Sequence, residues 1–223
     1  MKPALIDILL CFLATVLLVA GAVAVTAAVI SPLSSRWCGD YHVLVDALAG
    51  LIAYGVLSGL AIRLLVRLHP VRHGEFAMTD PNAVYWKLLT VIHRLGEWAL
   101  RPFTNVLSQP LITRLFGARI GAGAVLGGAV EDPFLVTIGA GAVLGGDSRI
   151  AASTTIDGRV TIGPVDIGAE AMVGVKAVVL AGTVIGTRAR LAGGSIALPG
   201  TAIPAGETWR GNPARRWTAA VPG

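Results

Sequence analysis

The chain has 223 residues, of which 54% are hydrophobic and only 14% are charged, and its mean hydropathy is +0.73. A soluble protein of this length is rarely so apolar, so part of the chain is expected to lie in a membrane. The net charge of +5 is too dilute for a nucleic-acid binding protein, and the two cysteines, Cys11 and Cys38, form neither a disulfide framework nor a metal-binding pattern.

Two long apolar runs come first, at residues 4–30 and 43–68. Each exceeds the ~20 residues that a helix needs to cross a bilayer, so both are predicted to be transmembrane helices. A signal peptide is the alternative for the first run, but the apolar stretch is too long for a typical one. Arg63 and Arg67 lie at the end of the second run and Arg72 just after it, whereas the loop between the runs has only Arg36. This asymmetry predicts that both chain ends are cytoplasmic.

Residues 83–101 are predicted to form an amphipathic helix. Its polar residues recur every three or four positions, at Lys87, Thr90, Arg94, Glu97 and Arg101. Asp80 or Asn82 supplies the cap, and Pro102 supplies the stop. The pattern fits a helix at the membrane interface and fits equally well a helix packed on the following domain. A shorter helical piece is predicted at 106–118.

From Ile120 onward an apolar residue recurs every six positions, with one slip at "GPVD" (163–166). Fifteen of sixteen frame positions are apolar, Asp132 being the exception, and eight are followed directly by glycine. The period fits neither a helix nor a plain sheet. It predicts a β-solenoid of about five coils, in which the aliphatic residue points inward and the small residue after it permits a tight corner. The frame comprises Ile120, Leu126, Asp132, Ile138, Leu144, Ile150, Ile156, Ile162, Ile167, Val173, Val179, Ile185, Leu191, Ala197, Ile203 and Trp209.

With this frame and its ending, "LAGGSIALPGTAIPAGETWRGNPAR", residues 120–216 resemble the hexapeptide-repeat acyltransferases, which fold as a left-handed parallel β-helix. More narrowly, residues 65–216, with "LFGARIG", "EDPFLVTIG" and "WRGNPA", resemble the C-terminal membrane region of poly-lysine-type non-ribosomal peptide synthetases and related sugar-modifying acetyltransferases. The resemblance implies a homotrimer that binds acyl-CoA, such as acetyl-CoA, between neighbouring subunits.

Four residues match the cofactor-binding positions that this resemblance implies, and a fifth, Arg216, lies beside them. Gly193, Gly194 and Ser195 correspond to the coil whose backbone lines the pantetheine arm, which a small side chain allows to approach closely. Arg215 matches the basic residue that meets a CoA phosphate, and Arg216 would assist by charge attraction. An ordinary solenoid corner and solvated terminal charges explain the same residues.

The catalytic histidine of such enzymes is missing, because Ala152 or Ser153 stands at its position and no histidine follows His93. The absence also excludes the branch of this fold that holds zinc with three histidines, so no metal is expected. A carboxylate could serve as the base instead, with Glu131 and Asp132 in "EDP" as candidates and Asp147 and Asp157 flanking the gap. A simple turn at "EDP" is the other interpretation.

Two further explanations stay open. His93, His69 or His73 could fold over from the membrane side and supply the base. Alternatively, catalysis has been lost and the chain is a trimeric scaffold or an accessory subunit of a membrane biosynthetic complex. The expected organisation is two transmembrane helices at 1–68, a linker with amphipathic helices at 69–118, the left-handed β-helix at 119–216 and a tail at 217–223, in a multi-pass membrane protein with a cytoplasmic β-helix.

Overall fold

The computed structural model describes residues 5–218, so the last residues of the expected tail lie outside the described part of the chain. The N-terminal half is helical. Its α-helices are α1 (Leu5–Val25), α2 (Ser31–Cys38), α3 (His42–Leu68), α4 (Pro81–Leu100) and α5 (Gln109–Leu115). A π-helical segment joins α1 to α2 (Thr26–Ile30), and short 3₁₀ turns lie at Gly39–Tyr41, Arg101–Phe103 and Pro133–Leu135.

The first helices form an antiparallel hairpin that turns at Gly39. Ser34 in α2 donates a hydrogen bond to Asp46 in α3 at 2.6 Å, and Gly21 in α1 faces Leu57 further along α3. Leu5–Leu68 is a continuous helical stretch that could cross a membrane by length and composition, and only 6% of its most apolar window is buried. The structure therefore contains one apolar candidate span that is folded back on itself.

Helix α4 (Pro81–Leu100) lies within two residues of the predicted bounds, 83–101, and has the predicted cap and stop. Asp80 caps it by accepting a hydrogen bond from the Asn82 amide at 2.8 Å, and the helix stops two residues before Pro102. Small residues let α4 approach α3 closely, since a Cβ on Gly96 would lie 2.6 Å from the Ser58 Cβ. Helix α4 thus packs along the hairpin, parallel to α1 and antiparallel to α3.

The rest of the chain is a parallel β-solenoid of about five turns with three faces. One face has the strand order β16-β13-β10-β5-β2, the second β18-β17-β14-β11-β6-β3, and the third β15-β12-β7-β4. The strands of the first face are β2 (Arg119–Ile120), β5 (Val136–Ile138), β10 (Val165–Ile167), β13 (Val184–Ile185) and β16 (Ala202–Ile203). Those of the second are β3 (Val125–Leu126), β6 (Val143–Leu144), β11 (Met172–Val173), β14 (Arg190–Leu191), β17 (Thr208–Arg210) and β18 (Arg215–Arg216). Those of the third are β4 (Ala129–Glu131), β7 (Arg149–Ala151), β12 (Val178–Val179) and β15 (Ile196–Ala197).

The six-residue frame becomes stacked rungs in the core. Ile120, Ile138, Ile167, Ile185 and Ile203 align directly from strand to strand on the first face. The glycines that follow the frame positions are needed because the next coil approaches the backbone. A Cβ on Gly145 would lie 2.6 Å from the Val175 amide nitrogen, and one on Gly168 would lie 2.5 Å from that of Thr187.

The frame fails at Ile156, which is 62% exposed. The chain leaves the solenoid there as an antiparallel hairpin of β8 (Ser153–Ile156) and β9 (Arg159–Ile162). Strand β1 (Gly74–Ala77) from the linker pairs with β9 to complete a three-stranded sheet. The predicted inward position of Ile156 is therefore wrong, because a hairpin insertion mimics one hexad in sequence.

The frame also misplaces Asp132. Val130, not Asp132, pairs with Ile150 and fills the inner rung of the third face. Asp132 follows β4 in the left-handed region, with φ of 53°, and starts the 3₁₀ turn at Pro133. The loop expected at "EDP" is present, and it carries Asp132 out of the solenoid core.

Candidate functional site

Asp132 lies in a buried position between the solenoid and helix α4. Only 2% of the residue is exposed. Aspartate tolerates the left-handed backbone that the turn imposes, because its short polar side chain can make local hydrogen bonds. The turn after β4 aims the carboxylate at the face of α4.

Three side chains donate hydrogen bonds to this carboxylate. Trp86 Nε1 and Thr90 Oγ1, one turn apart on α4, lie 3.2 and 3.1 Å from Oδ1. Ser153 Oγ, from the start of β8, lies 2.5 Å from Oδ2. The carboxylate is thus held on one oxygen by the linker helix and on the other by the solenoid, which is how a reactive group is oriented.

The environment of Asp132 changes its proton affinity. Burial raises the pKa of the Asp132 carboxyl above its usual value, and the hydrogen bonds from Ser153, Thr90 and Trp86 partly offset that rise. The neighbouring Glu131 charge raises the pKa further. A carboxylate with a raised pKa is a stronger base than an ordinary aspartate once it is ionised.

Glu131 is engaged with arginines. Its Oε1 lies 3.0 Å from Arg149 Nη1, and its Oε2 lies 3.9 Å from Arg94 Nη2. The Glu131 side chain is 28% exposed, whereas both arginine side chains are more than half exposed. Glu131 therefore belongs to a charged rim, and Asp132 is the buried carboxylate behind it.

These groups surround a cavity of about 380 Å³ between α4 and the third face of the solenoid. Its lining contains all three catalytic candidates predicted from the sequence, Asp132, Glu131 and His93. Ser153, one of the two residues at the expected histidine position, lines it as well. The full lining is Trp86, Thr90, His93, Arg94, Glu97, Ala129, Val130, Glu131, Asp132, Arg149, Ser153 and Thr155.

His93 reaches this cavity as a neutral packing residue. Burial, and secondarily the charge of Arg94, lowers the pKa of His93 to about 4. Its ring packs edge-on against Phe116 with the centroids 4.9 Å apart, and its Nε2 is 3.9 Å from Glu97 Oε2, too far for a hydrogen bond. A histidine in this state is a weak proton acceptor at neutral pH.

The other candidate bases lie elsewhere. His69 packs edge-on against Tyr85, and His73 lines a separate cavity of about 350 Å³. Asp147 and Asp157 occupy exposed turns with positive φ. Within residues 5–218, no group of three metal-ligating side chains could hold a metal ion.

The residues predicted to bind CoA lie at the C-terminal end of the solenoid. Gly193 and Gly194 are exposed, and Gly194 has a φ of 67°. Ser195 is buried, and its hydroxyl accepts a hydrogen bond from the Gly211 amide at 3.0 Å. Exposed Arg215 lies in β18, where it is free of acidic partners within residues 5–218, whereas Arg216 pairs with Glu207 at 3.1 Å.

Both candidate sets border the same four-stranded face. Gly193–Ser195 precede β15 at one edge, and Asp132 and Ser153 follow β4 and β7 at the other. Strands of two or three residues put about 10 Å between the edges. Along the axis, Ser153 lies two rungs from β15, about 10 Å, and Asp132 lies three rungs away, about 14 Å. An extended chain lying over this face can touch both edges.

Trp86 and Thr90 were not identified as site residues from the sequence. Each sits on the amphipathic helix, where an indole and a hydroxyl one turn apart look like interfacial or solvated positions. The available signal was that the polar face of α4 continues through Thr90, which indicates a polar partner. The structure supplies that partner in Asp132, so α4 packs on the solenoid.

No protein-family model matches the sequence, and no curated protein matches it either. The solved structures that it resembles are hexapeptide-repeat acetyltransferases with a β-solenoid. A maltose O-acetyltransferase from Clostridium difficile 630 is 17% identical, with 66% of this chain and 92% of that chain covered and a TM-score of 0.44. A hexapeptide-repeat acetyltransferase from Vibrio cholerae O1 biovar eltor, complexed with acetyl coenzyme A, is 16% identical over 51% of this chain and 77% of that chain, with a TM-score of 0.41.

A third likeness is to a mutant of GDP-perosamine N-acetyl transferase from Caulobacter crescentus, in complex with CoA and GDP-perosamine. It is 25% identical, with a TM-score of 0.33, and the match covers 46% of this chain. This chain spans about half of that protein, 51% of its length.

Proposed function

We propose that this protein is a membrane-anchored, acyl-CoA-dependent acyltransferase that transfers an acetyl group to a hydroxyl or amine. The observation that carries the proposal is the oriented, buried carboxylate of Asp132 in a walled cavity beside Ser153. Acyl transfer from a thioester needs a base for the acceptor's proton, and Asp132 is the base that this cavity offers.

The CoA would lie along the four-stranded face. Its pantetheine arm would pass the exposed backbone of Gly193 and Gly194, where a side chain would block close approach. Arg215, which is exposed, would meet a CoA phosphate. The thioester end would then reach Ser153, two rungs away, and Asp132, three rungs away. Arg216 contributes less than expected, because Glu207 already holds its charge.

The helical hairpin would anchor the enzyme. The 27 residues of α3 extend about 40 Å, more than the ~30 Å hydrocarbon core of a bilayer. Trp37 and Tyr41, which are 83% and 78% exposed, lie at the hairpin turn, where aromatic residues favour the membrane interface. With Arg63, Arg67 and Arg72 at the opposite end, the hairpin would cross as two helices with the solenoid in the cytoplasm. The proposal also includes a left-handed hand for the solenoid and assembly as a homotrimer, both of which the resemblance to hexapeptide-repeat acyltransferases implies.

A catalytically inactive scaffold is the second candidate function. The observation that favours it is the closed C-terminal end of the solenoid, where the Ser195 hydroxyl holds the Gly211 amide and buried Ala214 caps the core. Ser195 and Arg216, which pairs with Glu207, are thus two of the five residues assigned to CoA that already have structural partners. In this alternative the chain trimerises and supports a partner enzyme of a membrane biosynthetic complex.

Calorimetry of the full chain in detergent with CoA tests the proposal. The transferase binds CoA, and Arg215→Ala weakens binding by about 1–3 kcal/mol, the scale of a charged hydrogen bond. Arg188→Ala, at an exposed turn elsewhere on the solenoid, is the matched control and leaves the affinity unchanged. Absence of CoA binding, together with a stoichiometric partner on purification, supports the scaffold instead.

A further inference from the structure

The buried position of Asp132 limits what it can touch. With 2% of the residue exposed, the carboxylate has little surface on which a substrate could lie. Oδ1 already accepts hydrogen bonds from Trp86 and Thr90, and Oδ2 accepts one from Ser153. A direct contact between Asp132 and an acceptor molecule would require one of these donors to move away.

Ser153 is the donor that reaches the cavity from the solenoid. It is partly exposed, it lines the cavity, and its Oγ lies 2.5 Å from Oδ2. Thr90 also carries a hydroxyl, but it shares Oδ1 with the Trp86 indole. Among residues 5–218, Ser153 is the one side chain that donates a hydrogen bond to Oδ2, so its proton has one well-defined acceptor.

This arrangement matches that of an activated nucleophile. A weakly nucleophilic hydroxyl becomes reactive when a neighbouring base takes its proton and other groups orient that base. Here Asp132 is the base, and Trp86 and Thr90 orient it from the opposite side. The carboxylate is fixed in place before any substrate binds.

We propose that Ser153 is a nucleophile that carries the acetyl group as a covalent ester, so that transfer proceeds in two steps through an acyl-enzyme. The inference rests on the proposed function and adds a catalytic residue to it. The residue at the position of the missing histidine then forms the covalent bond, with Asp132 supplying the base function.

The two steps balance as follows. Ser153 Oγ attacks the thioester carbonyl and gives its proton to Asp132, the carbon–sulfur bond breaks, and the departing thiolate takes the proton to leave as free CoA. The acceptor's oxygen or nitrogen then attacks the seryl ester and gives its proton to Asp132. The carbon–oxygen bond to Ser153 breaks, and the proton returns to Oγ. No oxidant, reductant or metal takes part.

Acetyl-CoA without any acceptor tests this inference on the full chain in detergent. The expected result is a mass increase of one acetyl group, mapped to Ser153 and removed by hydroxylamine. Labelled CoA should exchange into acetyl-CoA in the same mixture, because the first step is reversible. Asp132→Asn should slow acylation by roughly 100-fold or more, the usual contribution of a general base.

Three variants make the assignment specific. Ser153→Ala should lose both the adduct and the exchange, whereas Ser153→Cys should keep them as a hydroxylamine-sensitive thioester. Ser148→Ala is the matched control, because Ser148 is a buried solenoid serine whose hydroxyl makes no hydrogen bond within residues 5–218. It should label like the wild type.

The possible outcomes test the nucleophilic role of Ser153 separately from the proposed acyltransferase function. The assignment of Ser153 as the nucleophile is wrong if Ser153→Ala still transfers acetyl to an acceptor, or if the adduct maps to another residue. Neither result contradicts the proposed acyltransferase function. Failure of the wild type to bind CoA overturns the transferase itself, and the nucleophile with it.

Discussion

Trp86 on helix α4 donates its indole N–H to the carboxylate of Asp132 in the first solenoid coil, across 3.2 Å. Because Thr90 makes a parallel contact from the next turn, the segment that joins the hairpin to the solenoid also forms one wall of the candidate site. The site is therefore complete only when the helical and β parts pack together. Changes in the packing of α4 should affect chemistry at Asp132.

Asp132→Asn should remove acyl transfer while leaving CoA binding intact. The amide is nearly isosteric but cannot take up a proton, so the expected loss is at least ~100-fold. In the wild type, activity should rise with pH as Asp132 ionises, at a higher pH than an ordinary aspartate requires, because burial raises its pKa. Rates of CoA release against pH measure both effects. An unchanged rate in the variant, with Asp147→Asn as an exposed control, would exclude Asp132 as the base.

His93 should make the fold sensitive to acid. Its pKa is about 4 in the folded protein and about 6.5 when unfolded. Between these values the unfolded chain binds a proton that the folded chain does not, so stability falls as the pH falls, by about 2 kcal/mol at pH 5. His93→Gln should abolish this dependence, as followed by thermal unfolding in detergent. The variant His73→Gln, at an exposed histidine, should retain it, and equal curves for both variants would contradict the burial of His93.

The ion pair between Lys87 and Asp7 should hold α1 on α4. Their charged atoms lie 2.7 Å apart, and the Asp7 side chain is only 6% exposed. Lys87→Met leaves a buried charge without its partner and should cost about 3–5 kcal/mol, whereas the double variant Asp7→Leu/Lys87→Met should recover most of the loss. A double-mutant cycle on unfolding free energies gives the coupling. Additive effects would indicate that α1 does not dock here.

Ile138 and Ile156 should respond differently to the same substitution although both belong to the six-residue frame. Ile138 is 1% exposed within the solenoid core, and Ile156 is 62% exposed on the inserted hairpin. Ile138→Asn should destabilise the protein by about 3 kcal/mol, because its amide is buried without partners. Ile156→Asn should stay within about 0.5 kcal/mol. Chemical unfolding of the two variants measures this. Equal losses of unfolding free energy would show that Ile156 is buried in the solenoid core after all.

The frame also illustrates how far the sequence alone leads. Repetition at Ile138, Ile167 and Ile185 predicts the solenoid because each coil contacts only its neighbours, so a local period reports a local contact. The period cannot distinguish a rung from a hairpin residue of similar chemistry, which is why Ile156 was misassigned. It also could not show that Val130 takes the rung expected of Asp132.

The candidate site could be predicted only in part from the sequence, because some of its contacts join residues that are far apart in the chain. Asp132 stood out because a carboxylate interrupted an apolar pattern, and Ser153 because a histidine was missing at its position. The contacts of Asp132 with Trp86 and Thr90 join residues more than forty positions apart on elements of different type, and no periodicity links them. For the same reason, the burial that makes His93 a neutral packing residue emerges only from the assembled fold.

The most direct test of the account is a structure of the full chain with CoA bound. The account predicts that the pantetheine arm crosses the four-stranded face from Gly193 and Gly194, with its sulfur in the cavity beside Ser153 and Asp132. CoA bound with its sulfur directed away from that cavity would contradict the central claim that this buried carboxylate serves acyl transfer.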